Sequence, residues 1–395
     1  MLAPEKMKDK NNQSLNNGTM LILGAGASIG AAKFPIESSL REAMAKMPSG
    51  DNFFYDLFFQ GKADTRDKRF LNVLGLTYEG LNDLIVRAWG LQKNLSHFDP
   101  EEWKQINIEE VFTFLDIGSR MYPRDTRYQK GFEICRSSLT SFITTFLSVK
   151  SEGFHCENLM YLLCDLKPTD SIISFNWDTI ADFTLQRAGR PIYAGYLDLM
   201  TKDSIRVRDY RERPVLLKLH GSLNWIVCPN PECSLHGKPR LAVKGKKLQR
   251  FFDMHKCPQC GNERGEPFIV PPTSQKFIRR GTLLQKLWLI AREKLPSCRR
   301  LIFVGYSFPA TDFYSEWLFR QIYFIDGQQP EIIVVNPAIM KKKSQVTQRY
   351  ERLFRGCKIH RFATLQDLRR DGSHLLIKDR KGANKTIQPT ANSVG

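Results

Sequence analysis

Apolar runs of four or five residues recur along the chain, and each closes on small or polar residues. MLIL (20–23) follows a polar leader and runs into Gly24-Ala25-Gly26-Ala27-Ser28, a pattern that predicts a buried strand turning sharply into a helix N-terminus. SIISF (171–175) ends on Asn176-Trp177-Asp178, VLLKL (215–219) on His220-Gly221-Ser222, LIFV (301–304) on Gly305-Tyr306-Ser307 and EIIVV (331–335) on Asn336-Pro337. Five such strands predict an α/β protein whose polar strand ends share one ligand site along the edge of a parallel sheet. Between the first and second strands the pattern turns helical. Residues from about 31 to 46 predict a helix with a break at Phe34-Pro35, and 108–121 and 137–147 carry apolar residues at helical intervals. A helical insertion over 36–166 is therefore expected. Its aromatics, such as Phe53, Phe54, Phe58 and Phe59, suit a core or an oligomer contact, and the charged stretch 60–69 reads as a loop.

The strand ends carry the candidate chemistry. Gly24 and Gly26 let backbone approach an anion, and Ser28 adds a hydroxyl to the unsatisfied N–H groups that begin a helix, which makes a phosphate cradle. The spacing departs from the dinucleotide fingerprint, because Ile29 stands where the third glycine belongs and Gly30 follows one place later. Each strand-end residue taken singly has a structural alternative: Asn176 as a strand cap, His220 as a satisfied core histidine, Ser307 as a turn residue, Asn336 as a turn former before proline. Their recurrence at five successive strand ends favours a shared site.

Composition narrows the picture. The chain has 395 residues, enough for one large α/β domain with an insertion or for two domains, and a formal net charge of +18. The basic residues are scattered apart from short knots at 244–247 and 341–343, so a nucleic-acid surface and a solvated basic face both remain open. No apolar run approaches a membrane span, and the leader lacks the apolar core of a secretory signal, so a cytoplasmic location is expected. Nine cysteines do not form a secreted framework: Cys135, Cys156, Cys164, Cys298 and Cys357 are isolated, and the other four fall in one segment. Cys228 and Cys233, followed by Cys257-x-x-Cys260, match a tetrahedral thiolate zinc ribbon with no open coordination position; four unligated thiols are the alternative. His236 and His255 lie nearby as substitute ligands.

Together, GAGAS (24–28), FNWD (175–178), LHGS (219–222), GYS (305–307) and VN (335–336) resemble the sirtuin superfamily. The wording LLKLHGSLNW with IEEVF in the helical insertion is similar to the sirtuin-like effectors of prokaryotic antiphage defence, which hydrolyse NAD+, some of them assembled with a HerA-type ATPase. The resemblance implies a doubly wound, mostly parallel, Rossmann-like sheet over residues 19–370, with the helical insertion and a zinc module at 226–265, between a polar leader (1–18) and a flexible tail (371–395). It implies NAD+ as substrate, Asn176, His220 and Asp178 as catalytic residues, and Gly24, Ala25, Gly26, Ser28, Gly305, Ser307 and Asn336 as the NAD+-binding set. It also implies a homo-oligomer, with a HerA-type ATPase as a candidate partner; nucleic acid is a candidate through the basic surface alone. Protein deacylases carry a Phe-Gly-Glu element after the zinc module, and PFIVPPTSQKF (267–277) has none, which counts against acyl-lysine as substrate. Deacylase, ADP-ribosyltransferase and non-catalytic nucleotide sensor are the rival readings. No role is carried over to residues 32–166, where deacylases have only a short loop.

Overall fold

A computed structural model describes residues 18–32, 84–90, 108–188, 215–271 and 282–376, apart from positions 86, 125, 152–155, 165, 168, 242, 245–246, 249–256, 263–264 and 326–328. Phe53, Phe54, Phe58, Phe59, the 60–69 stretch, His255 and, from residue 33 on, the helix expected over 31–46 with its break at Phe34-Pro35 lie outside the described residues.

Six parallel strands form the main sheet: β1 (Gly18–Leu23), β2 (Ser171–Ser174), β3 (Val215–Lys218), β7 (Cys298–Val304), β8 (Glu331–Val335) and β9 (Ile359–Phe362). Across the sheet they run β9-β8-β7-β1-β2-β3. Numbered within the sheet, this is 3-2-1-4-5-6, the order of a doubly wound α/β sheet, in which the chain reverses direction across the sheet between β1 and β7. Central parallel strands are covered on both faces, so they read as unbroken apolar runs. Met20, Leu21, Ile22 and Leu23 are at most 1% exposed, and each such side chain contributes roughly 1.5–3 kcal/mol by leaving water. The edge strand β9, Ile-His-Arg-Phe, is half-exposed and carries no such run.

The helical layer includes α2 (Ile108–Met121), α3 (Arg127–Ser151) and α4 (Glu157–Cys164). Helix α2 turns Val111, Phe112 and Leu115 into the core, as its spacing predicts. The first helix differs from expectation. Helix α1 spans Ala25–Ala32 and starts inside the glycine motif, ahead of Ala31, because the contact described below holds those glycines in place. Further helices cover the sheet: α5 (Ile180–Arg187), α6 (Leu283–Lys294), α7 (Phe313–Arg320), α8 (Gln345–Leu353) and α9 (Leu365–Asp371). Thr282 and Ser344 cap α6 and α8, and Thr364 with Asp367 forms a capping box on α9. Past α9, Leu375 still packs on the core.

After β3 the chain leaves the sheet as β4 (Gly221–Val227). It pairs antiparallel with β5 (Arg240–Leu241) and with the returning β6 (Glu266–Ile269). This small sheet carries the four clustered cysteines. Among the described residues no helix is long and apolar enough to cross a membrane.

Candidate functional site

The last rung of the sheet aligns Lys218, Ser174, Leu23, Val304, Val335 and Phe362. One residue further on, the backbone still pairs. Leu219, Phe175, Gly24, Gly305 and Asn336 each donate their N–H to the neighbouring strand, at 2.8 to 3.1 Å. The polar strand ends expected from sequence therefore stand side by side along one edge.

At the reversal point the two loops touch. Gly26 N–H donates to the Gly305 carbonyl at 2.9 Å. A Cβ on Gly26 would lie 2.7 Å from Gly305 Cα, and one on Gly24 2.6 Å from Tyr306 Cα. Gly305 has φ +62, and a Cβ there would lie 2.2 Å from the Gly26 carbonyl carbon. These glycines thus first serve contact between loops. Ala25, exposed at the start of α1, leaves the helix N-terminus as the surface an anion would meet. Ser307 is half-buried, and the turn behind it is tied down: Arg349 Nη1 donates to the carbonyls of Ser307 (3.5 Å) and Phe308 (3.0 Å). Phe308, at φ 51, holds a strained backbone inside an aromatic cluster with Phe303 and Tyr350. Asn336 accepts from Ala338 N–H at 2.9 Å and caps the short turn after β8, so its Oδ1 already has a backbone partner.

Asn176 is half-buried and anchored by its amide. Nδ2 donates to the Gly24 carbonyl at 2.8 Å and to Ser28 Oγ at 3.2 Å, which also fixes which amide atom is nitrogen. Its Oδ1 remains as an acceptor. Ser28 in turn donates to Asp178 Oδ2 at 2.8 Å, and Asp178 Oδ1 accepts from Ile180 N–H at 3.0 Å. Asp178 is therefore the buried end of a relay that positions Asn176. Burial pushes its carboxyl above the ordinary range, and the nearby Lys218 ammonium acts against that rise. Lys218, fully buried at the end of β3, donates from Nζ to the Asp178 carbonyl and lies 3.4 Å from Asp182 Oδ2. Asn224 Nδ2 donates to Asp182 Oδ1 at 3.3 Å.

His220 sits one strand over, 8% exposed, with Phe175 and Trp288 rings beside it at 5.1 and 6.4 Å between centroids. Phe175 also stacks on Tyr306 at 4.5 Å, so a row of rings links the ends of β3, β2 and β7. Trp288 Nε1 donates to the Leu219 carbonyl at 3.2 Å, and Val270 N–H to the His220 carbonyl at 2.8 Å. His220 Nε2 lies 3.4 Å from Asp312 Oδ1. Tyr306 Oη donates to Asp312 Oδ2 at 2.5 Å. Burial, and then the Asp312 carboxylate, hold the Tyr306 phenol well above its usual range, so it stays a neutral donor. Sequence reasoning missed Asp312 and Lys218. A lysine inside an apolar strand run was the available signal for the second.

The cysteine cluster is a separate centre. The Sγ atoms of Cys228, Cys233, Cys257 and Cys260 all lie within 4.8 Å of one another, with Cys228 to Cys260 at 3.6 Å and Cys233 to Cys257 at 3.7 Å. A tetrahedron with zinc–sulfur arms of about 2.3 Å has edges of about 3.8 Å. Disulfides need about 2.05 Å, and all four cysteines are free. The donor set fits a metal ion such as zinc. Backbone N–H groups, first that of Cys260, bring the Cys257 thiol down to about 6, while burial first of all pushes that of Cys228 up to about 12. His236 is not part of this group of close ligand atoms; its Nδ1 donates to the Cys228 carbonyl at 3.1 Å.

No protein-family model matches the chain, and no curated protein matches it.

Proposed function

We propose that the chain is an NAD+ glycohydrolase that cleaves NAD+ to nicotinamide and ADP-ribose, with the zinc-type centre in a structural role. The observation that carries this reading is the pair at neighbouring strand ends beside the reversal point, where dinucleotides bind in doubly wound sheets: Asn176, with its amide nitrogen engaged and Oδ1 left to accept, and His220 one strand over.

Cleavage breaks the bond between the anomeric carbon and the nicotinamide nitrogen. The nicotinamide is cationic and leaves as a neutral molecule, so no strong acid is required, and positive charge develops on the ribose. Asn176 Oδ1 accepts from a ribose hydroxyl or from the attacking water and orients it. His220 takes the proton that the water loses as its oxygen bonds to the anomeric carbon, and returns it to solvent. The N-terminus of α1 and Ser307 hold the pyrophosphate, and Asn336 borders the adenosine side. Asp178 acts through Ser28 on Asn176. By the same resemblance we place this activity in an antiphage effector that depletes NAD+ within an assembly, with a HerA-type ATPase as the partner to test.

The test is to incubate the purified protein with NAD+, with and without an acylated peptide, and to separate the products by chromatography. Nicotinamide and ADP-ribose without peptide dependence are expected, lost in His220→Ala and in Asn176→Ala. Peptide-dependent nicotinamide release would instead favour deacylation. Binding without any cleavage would favour a sensor.

A further inference from the structure

Asp312 occupies the N-cap position of α7, where an aspartate ordinarily accepts from the N–H groups of the first helical turn. It makes no such side-chain bond. The carboxylate is 1% exposed, with Oδ2 receiving the Tyr306 hydroxyl and Oδ1 lying 3.4 Å from His220 Nε2. A buried carboxylate that forgoes its own helix cap, accepts from a phenol and holds its other oxygen 3.4 Å from an imidazole nitrogen is placed to act on that imidazole.

We infer that Asp312 is the positioning residue of His220: it holds the proton on Nε2, leaves the lone pair on Nδ1, and stabilises the imidazolium formed when His220 accepts a proton. A neutral imidazole has one donor and one acceptor nitrogen, so a carboxylate at Nε2 selects the tautomer protonated there. Tyr306 supports this arrangement. Its single O–H proton goes to Oδ2, while Ser315 Oγ, 2.7 Å from Tyr306 Oη, donates to the Asp312 carbonyl at 2.7 Å. One carboxylate oxygen is thereby anchored and the other directed at the ring. The catalytic consequence rests on the NAD+-cleavage reading, whereas the tautomer does not.

In Asp312→Asn the short Tyr306 bond claims the one remaining oxygen, which turns the amide nitrogen toward His220. That nitrogen donates, so Nε2 must accept and the proton moves to Nδ1. The experiment is nitrogen-15 NMR of histidine-labelled full-length protein at neutral pH, with His220→Gln identifying the signal by its loss. Wild-type protein should show the Nε2–H tautomer, and Asp312→Asn a shift toward Nδ1–H. Turnover of NAD+ by Asp312→Asn should fall by roughly 10²-fold with little change in KM, while metal content and melting temperature stay near wild type. An unchanged tautomer in the variant overturns the inference, as does a wild-type His220 protonated on Nδ1. The second result can be read even if the variant does not fold. If the wild-type protein cleaves no NAD+, the catalytic reading fails, and the tautomer comparison still decides whether Asp312 sets His220.

Discussion

Replacing Lys218 with methionine tests the least exposed charged group beneath the candidate site. Methionine keeps most of the volume of the side chain but removes the ammonium. The Asp178 carbonyl then loses its Nζ donor, and the Asp182 carboxylate, 1% exposed, loses a counter-charge 3.4 Å away and keeps the Asn224 amide at 3.3 Å. Removing one member of a buried ion pair costs about 3–5 kcal/mol, because the other is left uncompensated. For a domain of this size, about 2–4 °C of melting temperature per kcal/mol gives a drop of roughly 6–20 °C. Urea titration read by tryptophan fluorescence and calorimetry would measure both quantities. Adding Asp182→Leu to Lys218→Met removes the stranded charge and should recover a large part of the loss, since buried pairs exchanged whole for apolar groups are often near neutral. A single variant within about 1 kcal/mol of wild type, or a double variant less stable than the single, would refute the reasoning.

The purified protein should carry about one zinc per chain, and chelation or Cys257→Ser should lower its melting temperature more than the activity of the protein that stays folded, because four thiolates close the coordination shell; native protein without metal and with four alkylatable thiols would contradict this. Asp178 supplies a pH test. Its carboxyl is raised in the folded state, so folded protein holds the proton more tightly than unfolded protein does; stability falls as pH rises from the unfolded value, about 3.9, through the higher folded one, and the cost is complete above it. Asp178→Asn removes that titration, so urea melts across this window should show the variant gaining on wild type as pH rises, on top of a fixed loss from the broken Ser28 relay. A stability difference that does not vary with pH would sink the argument.

What was legible in the sequence follows from burial. Strands β1, β2, β3, β7 and β8 are covered on both faces, so each appears as an unbroken apolar run, and the residue that ends each run reports the strand end. Strand β9 escapes this logic, because an edge strand with His360 and Arg361 in it has no apolar run to show. The start of α1 was misjudged for a different reason. Two glycines disfavour helix locally, and only their fit against Gly305, which no local pattern encodes, holds the helix from Ala25. The spacing of the four cysteines was sufficient to group them, since thiolate ligands come in short local pairs. Asp312 was hidden because its neighbours in sequence read as an ordinary helix cap. Its identity as a partner of His220 depends on β7 and β3 ending on one edge, with the aromatic row of Phe175 and Tyr306 between them.

The same geometry explains how parts far apart in sequence bear on one imidazole. The small sheet begins at Gly221, next to His220, where φ is +77 and a Cβ would lie 2.2 Å from the Phe268 carbonyl oxygen; only glycine lets β4 leave the parallel sheet so abruptly. Strand β6 returns from the cysteine cluster to set Val270 N–H on the His220 carbonyl, and the Val270 carbonyl receives Trp177 Nε1 at 3.2 Å, next to Asn176. A metal held by the four cysteines at the far end of this sheet would therefore restrain the backbone of both proposed catalytic residues without touching either side chain. From the opposite side, Thr311 donates to Glu109 at the start of α2 at 2.5 Å, and the next residue is Asp312. The helical layer thus bears on the carboxylate side of the His220 pair and the thiolate centre on its main chain. Losing the metal should loosen the position of His220, whereas a shift of α2 would first alter the partner that sets its proton.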